Sequence, residues 1–332
     1  MPITVLGAGS FGTCLAILCA HDHDVRIWAR DSALAEALNR ERRNPNYLSE
    51  VRIPENVRAT ADLEEALTGS ELVICAVPSH GVRDVMSRAA PVLPDGALVV
   101  STVKGLELGS WMRMEQVLQD VLAPAHHARF VFLSGPSFAK EVAAGQPTAV
   151  TLACRQESFA ISVQASISRP WFRCYSATDV VGVEIGGALK NVVAIAVGIC
   201  DGLGLGHNAR AGVMTRGLRE ITRLGAALGA DPMTFLGLAG MGDLVLTCTS
   251  DLSRNRRVGL ALGGGQKLDE IVGAMSEVAE GVRTTTAACV LARRHKIEMP
   301  IAEAVQRVLE GEIGVEGAVN QLMSRQLRNE NE

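Results

Sequence analysis

Ile3-Thr4-Val5-Leu6-Gly7-Ala8-Gly9-Ser10-Phe11-Gly12-Thr13 decides how the first half of the chain is read. Its first four residues are apolar with β-branched members, the pattern of a strand buried in a parallel sheet. A G-x-G-x-x-G turn follows at once, and residues 13–20 read as an apolar helix. The three glycines alone would mean little. Between a strand and a helix they fit the turn on which dinucleotides bind. Gly7 permits the tight turn, Gly9 leaves the backbone open to a pyrophosphate, and Gly12 lets the helix pack closely on the strand. Free amide groups and the helix dipole then favour an anion there.

Working outward, residues 25–30 form a second strand ending in Arg30-Asp31. An acid at this point usually binds the ribose 2′-hydroxyl of NAD. Arg30 instead suits a 2′-phosphate or stacks on adenine, while Asp31 can cap the next helix. The pair favours NADP slightly and leaves NAD open. Further strands are expected at 71–78, 97–102, 130–133 and 149–153, with helices at 31–39 and 62–67. Such alternation predicts a parallel, doubly wound sheet whose ligands lie beyond the carboxyl ends of the strands. Ser79, His80, Lys104, Gly135 and Ser137 fall there. Lys104 is therefore either a site residue or a solvated loop lysine.

From about residue 178 the strand signals vanish. Residues 180–199 read as one apolar helix interrupted by Gly182, Gly186 and Gly187. Each interior glycine costs up to ~1 kcal/mol against alanine, so close approach to a ligand or another backbone is expected. Lys190-Asn191 is a polar pair inside this stretch. A lysine buried there beside a charge suits general acid–base chemistry; the alternative is a side chain that snorkels to the surface. Residues 202–208 read as a flexible connection before a helix at 215–227. Gly237-Leu238-Ala239-Gly240-Met241-Gly242 is a second glycine-rich turn, leading to Asp243 as a helix cap or a site acid. Thr247, Ser253, Arg254 and Asn255 gather hydroxyls, an amide and a guanidinium near a helix start, a fitting receptor for a phosphate monoester. Residues 254–257 can equally form a solvated basic face. Residues 278–284 open another helix, and the tail from 305 to 332 reads as an outer helical cover. The expected division is an α/β Rossmann-like domain over 1–179 and an all-α domain over 180–332.

A length of 332 residues suits two domains, and 48% hydrophobic with 20% charged residues can build a large core. The formal charge of -4 argues against a general nucleic-acid binder without forbidding an anionic substrate. The eight cysteines form no C-x-x-C pair and no zinc-finger spacing, so no metal site and a reducing compartment are expected. No signal peptide opens the chain, and the most apolar part of the second half, 192–200, is too short to span a bilayer. A soluble cytoplasmic protein is expected, with His126-His127 in a surface loop.

Together these segments resemble the NAD(P)-dependent glycerol-3-phosphate dehydrogenase family, in its bacterial soluble form. The resemblance runs from residue 3 to about 285. Its carriers are the first glycine turn, Ala76-Val77-Pro78-Ser79-His80, Lys104-Gly105 and Ser134-Gly135-Pro136-Ser137-Phe138-Ala139-Lys140-Glu141. Gly187-Ala188-Leu189-Lys190-Asn191, Gly240-Met241-Gly242-Asp243-Leu244 and Ser253-Arg254-Asn255 complete it. Met241 stands where leucine is frequent, a mild change.

The resemblance implies NAD(P)H-dependent, reversible reduction of dihydroxyacetone phosphate to sn-glycerol 3-phosphate for phospholipid synthesis, by a homodimer. It implies a catalytic site of Lys190, Lys104 and Asp243, with Lys190 as proton donor and acceptor. Gly135, Ser137, Thr247, Ser253, Arg254 and Asn255 then join these three around the substrate. Gly7, Gly9, Ser10, Phe11, Gly12, Arg30, Lys104, Ala139, Arg254, Val278 and Glu280 would meet the cofactor. Two rivals remain at this stage. One is a dehydrogenase for a sugar acid or hydroxyacyl substrate, the other a non-catalytic NAD(P) sensor, which would need no proton donor.

Overall fold

The computed structural model describes residues 1–275, 279–327 and 329–330. Its first half is one eight-stranded sheet: β1 (Ile3–Leu6), β2 (Val25–Trp28), β3 (Val57–Thr60), β4 (Leu72–Cys75), β5 (Leu98–Ser101), β6 (Phe130–Ser134), β7 (Thr148–Ala153) and β8 (Phe172–Ala177). The strand order is β3-β2-β1-β4-β5-β6-β7-β8. The chain builds outward from β1 to β3, then restarts on the other side of β1 with β4. That reversal opens a crevice between the carboxyl ends of β1 and β4. Both strands are buried along their whole length, as their unbroken apolar runs foretell.

The sheet departs from the expected all-parallel form at one seam. β7 runs antiparallel to β6, and β8 then runs parallel to β7. Only α6 (Ala139–Ala143) lies between β6 and β7, too little chain for a parallel crossover. β3 and β8 were not foreseen; each shows exposed or half-buried positions that blur the apolar pattern. The remaining helices of this half are α1 (Ser10–Cys19), α2 (Ser32–Glu41), α3 (Leu63–Leu67), α4 (Val82–Ala89), α5 (Met114–Val121) and α7 (Glu157–Ile167). They cover both faces and close a core on each.

After Ala177 the described residues contain helices but no strand: α8 (Val180–Gly202), α9 (Gly206–Ala227), α10 (Asp243–Thr249), α11 (Arg254–Gly263), α12 (Leu268–Gly273), α13 (Glu280–His295), α14 (Pro300–Leu309) and α15 (Val315–Met323). α8 is the axis of this half. At 23 residues it is longer than expected and apolar enough to cross a membrane by length and composition, yet it is buried among the other helices. The expected flexible connection shrinks to a short turn at 203–205, because α9 begins at Gly206.

Backbone approach accounts for Gly186, Gly198 and Gly202 of α8, whereas a Cβ at Gly182 or Gly187 would meet the side chains of Asp179 and Thr234 or of Ser134. A Cβ at Gly186 would sit 2.7 Å from the Ala239 carbonyl oxygen, and one at Gly198 would collide with the Arg256 carbonyl. Gly259 of α11 answers Gly198, with its own Cβ position 2.9 Å from the Gly198 Cα. The two helices therefore cross at backbone contact. All eight cysteines are unpaired and buried, as small apolar residues are.

Candidate active site

The glycine turn stands at the crevice between β1 and β4. Gly7 has φ +111°, and a Cβ there would lie 2.9 Å from the Ala76 carbonyl oxygen. A Cβ at Gly12 would collide with the Gly7 carbonyl, whereas one at Gly9 would meet nothing within 4 Å. Two glycines thus close the turn and the third leaves a cradle open at the start of α1. The cradle fits the phosphates of a dinucleotide, which bare amides and a helix N-terminus can receive. Ser10 and Phe11 occupy the first turn of α1, half-buried, and Ala139 opens α6, which packs beside α1.

Asp31 caps α2, its Oδ1 accepting from the Ala33 N–H at 3.0 Å, and Arg30 stands exposed beside it beyond β2. From the helical half, Glu280 reaches back across the crevice and accepts the Ser79 N–H at 3.1 Å. Val278 lies outside the described residues.

Beyond this turn, three charged side chains meet. Lys104 follows β5, Lys190 comes from the middle of α8, and Asp243 begins α10. Asp243 accepts from Lys104 Nζ at 2.8 Å through Oδ2 and from Lys190 Nζ at 2.5 Å through Oδ1. Lys190 also donates to the Thr247 hydroxyl at 2.7 Å, and Thr247 donates on to the Asp243 carbonyl at 2.6 Å. Thr247 stands one helical turn after Asp243, so both face the same way. Lys104 also donates to the Gly135 carbonyl at 2.7 Å and approaches the Ser137 hydroxyl at 3.4 Å. Gly135 has φ +128°, a conformation that suits glycine and turns its carbonyl chain end towards Lys104. The Asp243 carboxylate binds lysines rather than capping α10, and Lys190 does not snorkel, since only 6% of it is exposed.

Burial and charge set the proton affinities. Burial lowers the Lys190 ammonium to about 8; Asp243 opposes this and the Lys104 charge adds to it. Burial alone would raise Asp243, but the two lysines overcome it and hold the carboxyl below its ordinary value. A buried ammonium near neutrality, fixed by a carboxylate that stays ionised, can give a proton to a developing alkoxide and take it back.

The expected phosphate receptor is partly engaged in holding itself together. Ser253 is buried and caps α11, accepting from the Arg256 N–H at 3.2 Å. Asn255 donates to the Asn191 Oδ1 and accepts from the Gly281 N–H, both at 2.9 Å. Asn191 in turn donates to the Lys104 carbonyl at 3.3 Å. Arg254 is exposed at the start of the helix. The solvated basic face is corrected at Arg256, which is buried and pairs with Asp201 and Asp251 at 2.8 and 2.7 Å.

Some groups escaped the sequence reading. Asn191, named but given no role, joins Lys104 to Asn255; an amide inside an apolar helix was its signal. Glu184, about two turns earlier on α8, accepts the Glu115 N–H at 2.8 Å and pairs with Arg113. Burial raises its carboxyl to about 7, against Arg113. This pairing ties α8 to α5, and a lone glutamate in α8 was the only hint. His126 is buried, not in an exposed loop, because the turn at 124–129 packs against β5 and α5.

A doubly wound sheet with a glycine-lined phosphate cradle, facing a two-lysine, one-aspartate site on a helical layer, defines an NAD(P)-dependent oxidoreductase. Residues 2–160 match the family model described as NAD-dependent glycerol-3-phosphate dehydrogenase N-terminus, and residues 179–320 match its C-terminus. The glycerol-3-phosphate dehydrogenase [NAD(P)+] of Myxococcus xanthus is 50% identical over 328 residues, covering 98% of both chains. That of Geobacter sulfurreducens is 51% identical over 329 residues, covering 99% of this chain and 98% of its own. The crystal structure of glycerol-3-phosphate dehydrogenase from Coxiella burnetii superposes with a TM-score of 0.92 at 39% identity, covering 98% and 99% of the two chains. The chain belongs to the NAD-dependent glycerol-3-phosphate dehydrogenase family.

Proposed function

We propose that this protein reduces dihydroxyacetone phosphate to sn-glycerol 3-phosphate, reversibly and with NADPH or NADH, supplying glycerophospholipid synthesis. The observation that carries the reading is the Asp243 carboxylate held between Lys104 and Lys190 beside the glycine cradle. When bound, the nicotinamide supplies or accepts the hydride. Lys190 gives its proton to the ketone oxygen as negative charge gathers there, and retrieves it in the reverse direction. Lys104 adds positive field, and Asp243 with Thr247 fixes the Lys190 ammonium. Arg254 anchors the phosphate at the start of α11, so that binding energy remote from the carbonyl places it for reaction. Asn255 and Ser253 support that anchor, and Gly135 and Ser137 border the substrate. Gly7, Gly9, Ser10, Phe11, Gly12, Arg30, Lys104, Ala139, Arg254, Val278 and Glu280 serve the cofactor, with NADP slightly favoured.

The same reading assigns residues 1–179 to dinucleotide binding and 180–332 to substrate binding. Its support is that α8 starts at Val180 and carries Lys190. It takes the enzyme as soluble and cytoplasmic, since α8 is packed inside the protein. It also takes the enzyme as a homodimer through the helical half, where Met233, Leu236 and Val245 are exposed. The test is NADPH oxidation with dihydroxyacetone phosphate against unphosphorylated dihydroxyacetone. Turnover confined to the phosphate ester is expected; equal turnover of both would reject the substrate.

A further inference from the structure

Two guanidinium groups and an imidazole outside the lysine site gather at the carboxyl edge of the sheet. Arg30 follows β2, His80 follows β4, and Arg283 stands one turn into α13. β2 and β4 flank β1 in parallel, with Trp28 and Cys75 both in register with Leu6. Arg30 and His80 therefore leave the same edge, on either side of the glycine turn. α13 is fastened to this edge by the Glu280 bond to the Ser79 N–H, and Arg283, three residues on, shares the helix face of Glu280.

The charges at this edge are unbalanced. Arg30 and Arg283 are exposed, and neither makes a hydrogen bond or ion pair with a described residue. Burial, then the Arg283 guanidinium, and more weakly Arg30, hold the His80 imidazole below its ordinary value against the upward pull of Glu280. Both guanidinium groups thus act on one imidazole. The acids close by are engaged elsewhere: Asp31 caps α2, and Glu280 holds Ser79. Two guanidinium groups that act on one imidazole also repel each other, and a dianion placed between them converts repulsion into attraction. Guanidinium forks match the geometry of a phosphate monoester.

We propose that Arg283, together with Arg30 and His80, binds the adenosine 2′-phosphate of NADP. Arg283 then sets cofactor choice from the helical half, and only Arg30 among the three comes from the usual position after the second strand. This rests on the dinucleotide reading of the glycine turn, which places an adenosine ribose beside the end of β2.

Calorimetric binding of 2′,5′-ADP and 5′-ADP to the wild type, Arg283→Ala and Arg283→Glu tests it without turnover. Arg283 is an exposed helical residue, so both variants fold. The wild type should prefer 2′,5′-ADP, and Arg283→Ala should weaken that ligand about tenfold while leaving 5′-ADP within about twofold. Arg283→Glu should weaken it further. Equal loss for both ligands, or no loss, overturns the proposal and leaves the glycine-turn site intact. A wild type that binds 5′-ADP and 2′,5′-ADP equally overturns it as well. Binding of neither overturns the dinucleotide reading and this proposal with it.

Discussion

The Nζ of Lys190 lies 2.5 Å from the Oδ1 of Asp243, and both side chains are buried. The ion pair keeps a charge on Lys190 that burial alone would remove, and the balance leaves its pKa at about 8. The same atom also meets Thr247, so the proton is both held and aimed. An acid of this strength serves hydride chemistry in both directions near neutral pH.

A pH dependence of opposite sign follows for the two directions. Reduction needs the ammonium, so its kcat/KM should fall as pH rises through about 8. Oxidation of glycerol 3-phosphate needs the free amine and should rise through the same value. Initial rates across pH 6 to roughly 10 check this; parallel profiles in the two directions would contradict it.

Asp243→Asn removes the charge that raises Lys190 and leaves two lysines facing an amide. The fall in reduction should therefore move to lower pH. Breaking a buried ion pair by removing one partner costs roughly 3–5 kcal/mol, so chemical denaturation should show a loss of that order. An unshifted profile would mean that Asp243 does not tune Lys190.

The glycine turn makes a contrast within one motif. Gly9→Ala places its methyl in open space, where the phosphates are expected, while Gly12→Ala drives one into the Gly7 carbonyl. Gly9→Ala should keep the melting temperature and weaken NADPH binding, read by fluorescence titration. Gly12→Ala should lower both, with about 1–3 kcal/mol lost to overpacking. Unchanged NADPH binding by Gly9→Ala would remove the cradle from the account.

Arg254→Ala separates substrate from cofactor. Loss of a charge-assisted contact to phosphate should raise the KM for dihydroxyacetone phosphate about tenfold or more, with a much smaller effect on the KM for NADPH. Steady-state kinetics with each reactant varied in turn checks this; equal effects would place Arg254 elsewhere.

How much of this was legible in the sequence depended on whether the signal was local. The β1 turn was readable because strand, glycines and helix are contiguous. Lys190 was readable because a lysine in an apolar helix demands a partner. Its partner Asp243 is 53 residues away, and the spacing alone left it between a cap and a site acid. The antiparallel β6–β7 seam was missed because strand direction depends on the length of the connection, not on strand composition. The partners of Arg256 and Asn255 were not legible for a related reason. Polarity at a helix start says that a side chain will bond, but not whether the partner is a ligand, Asp201 or Asn191.

Proton delivery by Lys190 is read without interference from product release in single-turnover reduction of dihydroxyacetone phosphate by the NADPH complex, wild type against Lys190→Ala. NADPH should still bind while the rate falls about a hundred- to ten-thousandfold and no longer responds to pH near 8. A variant that keeps the wild-type rate and its pH dependence would contradict it.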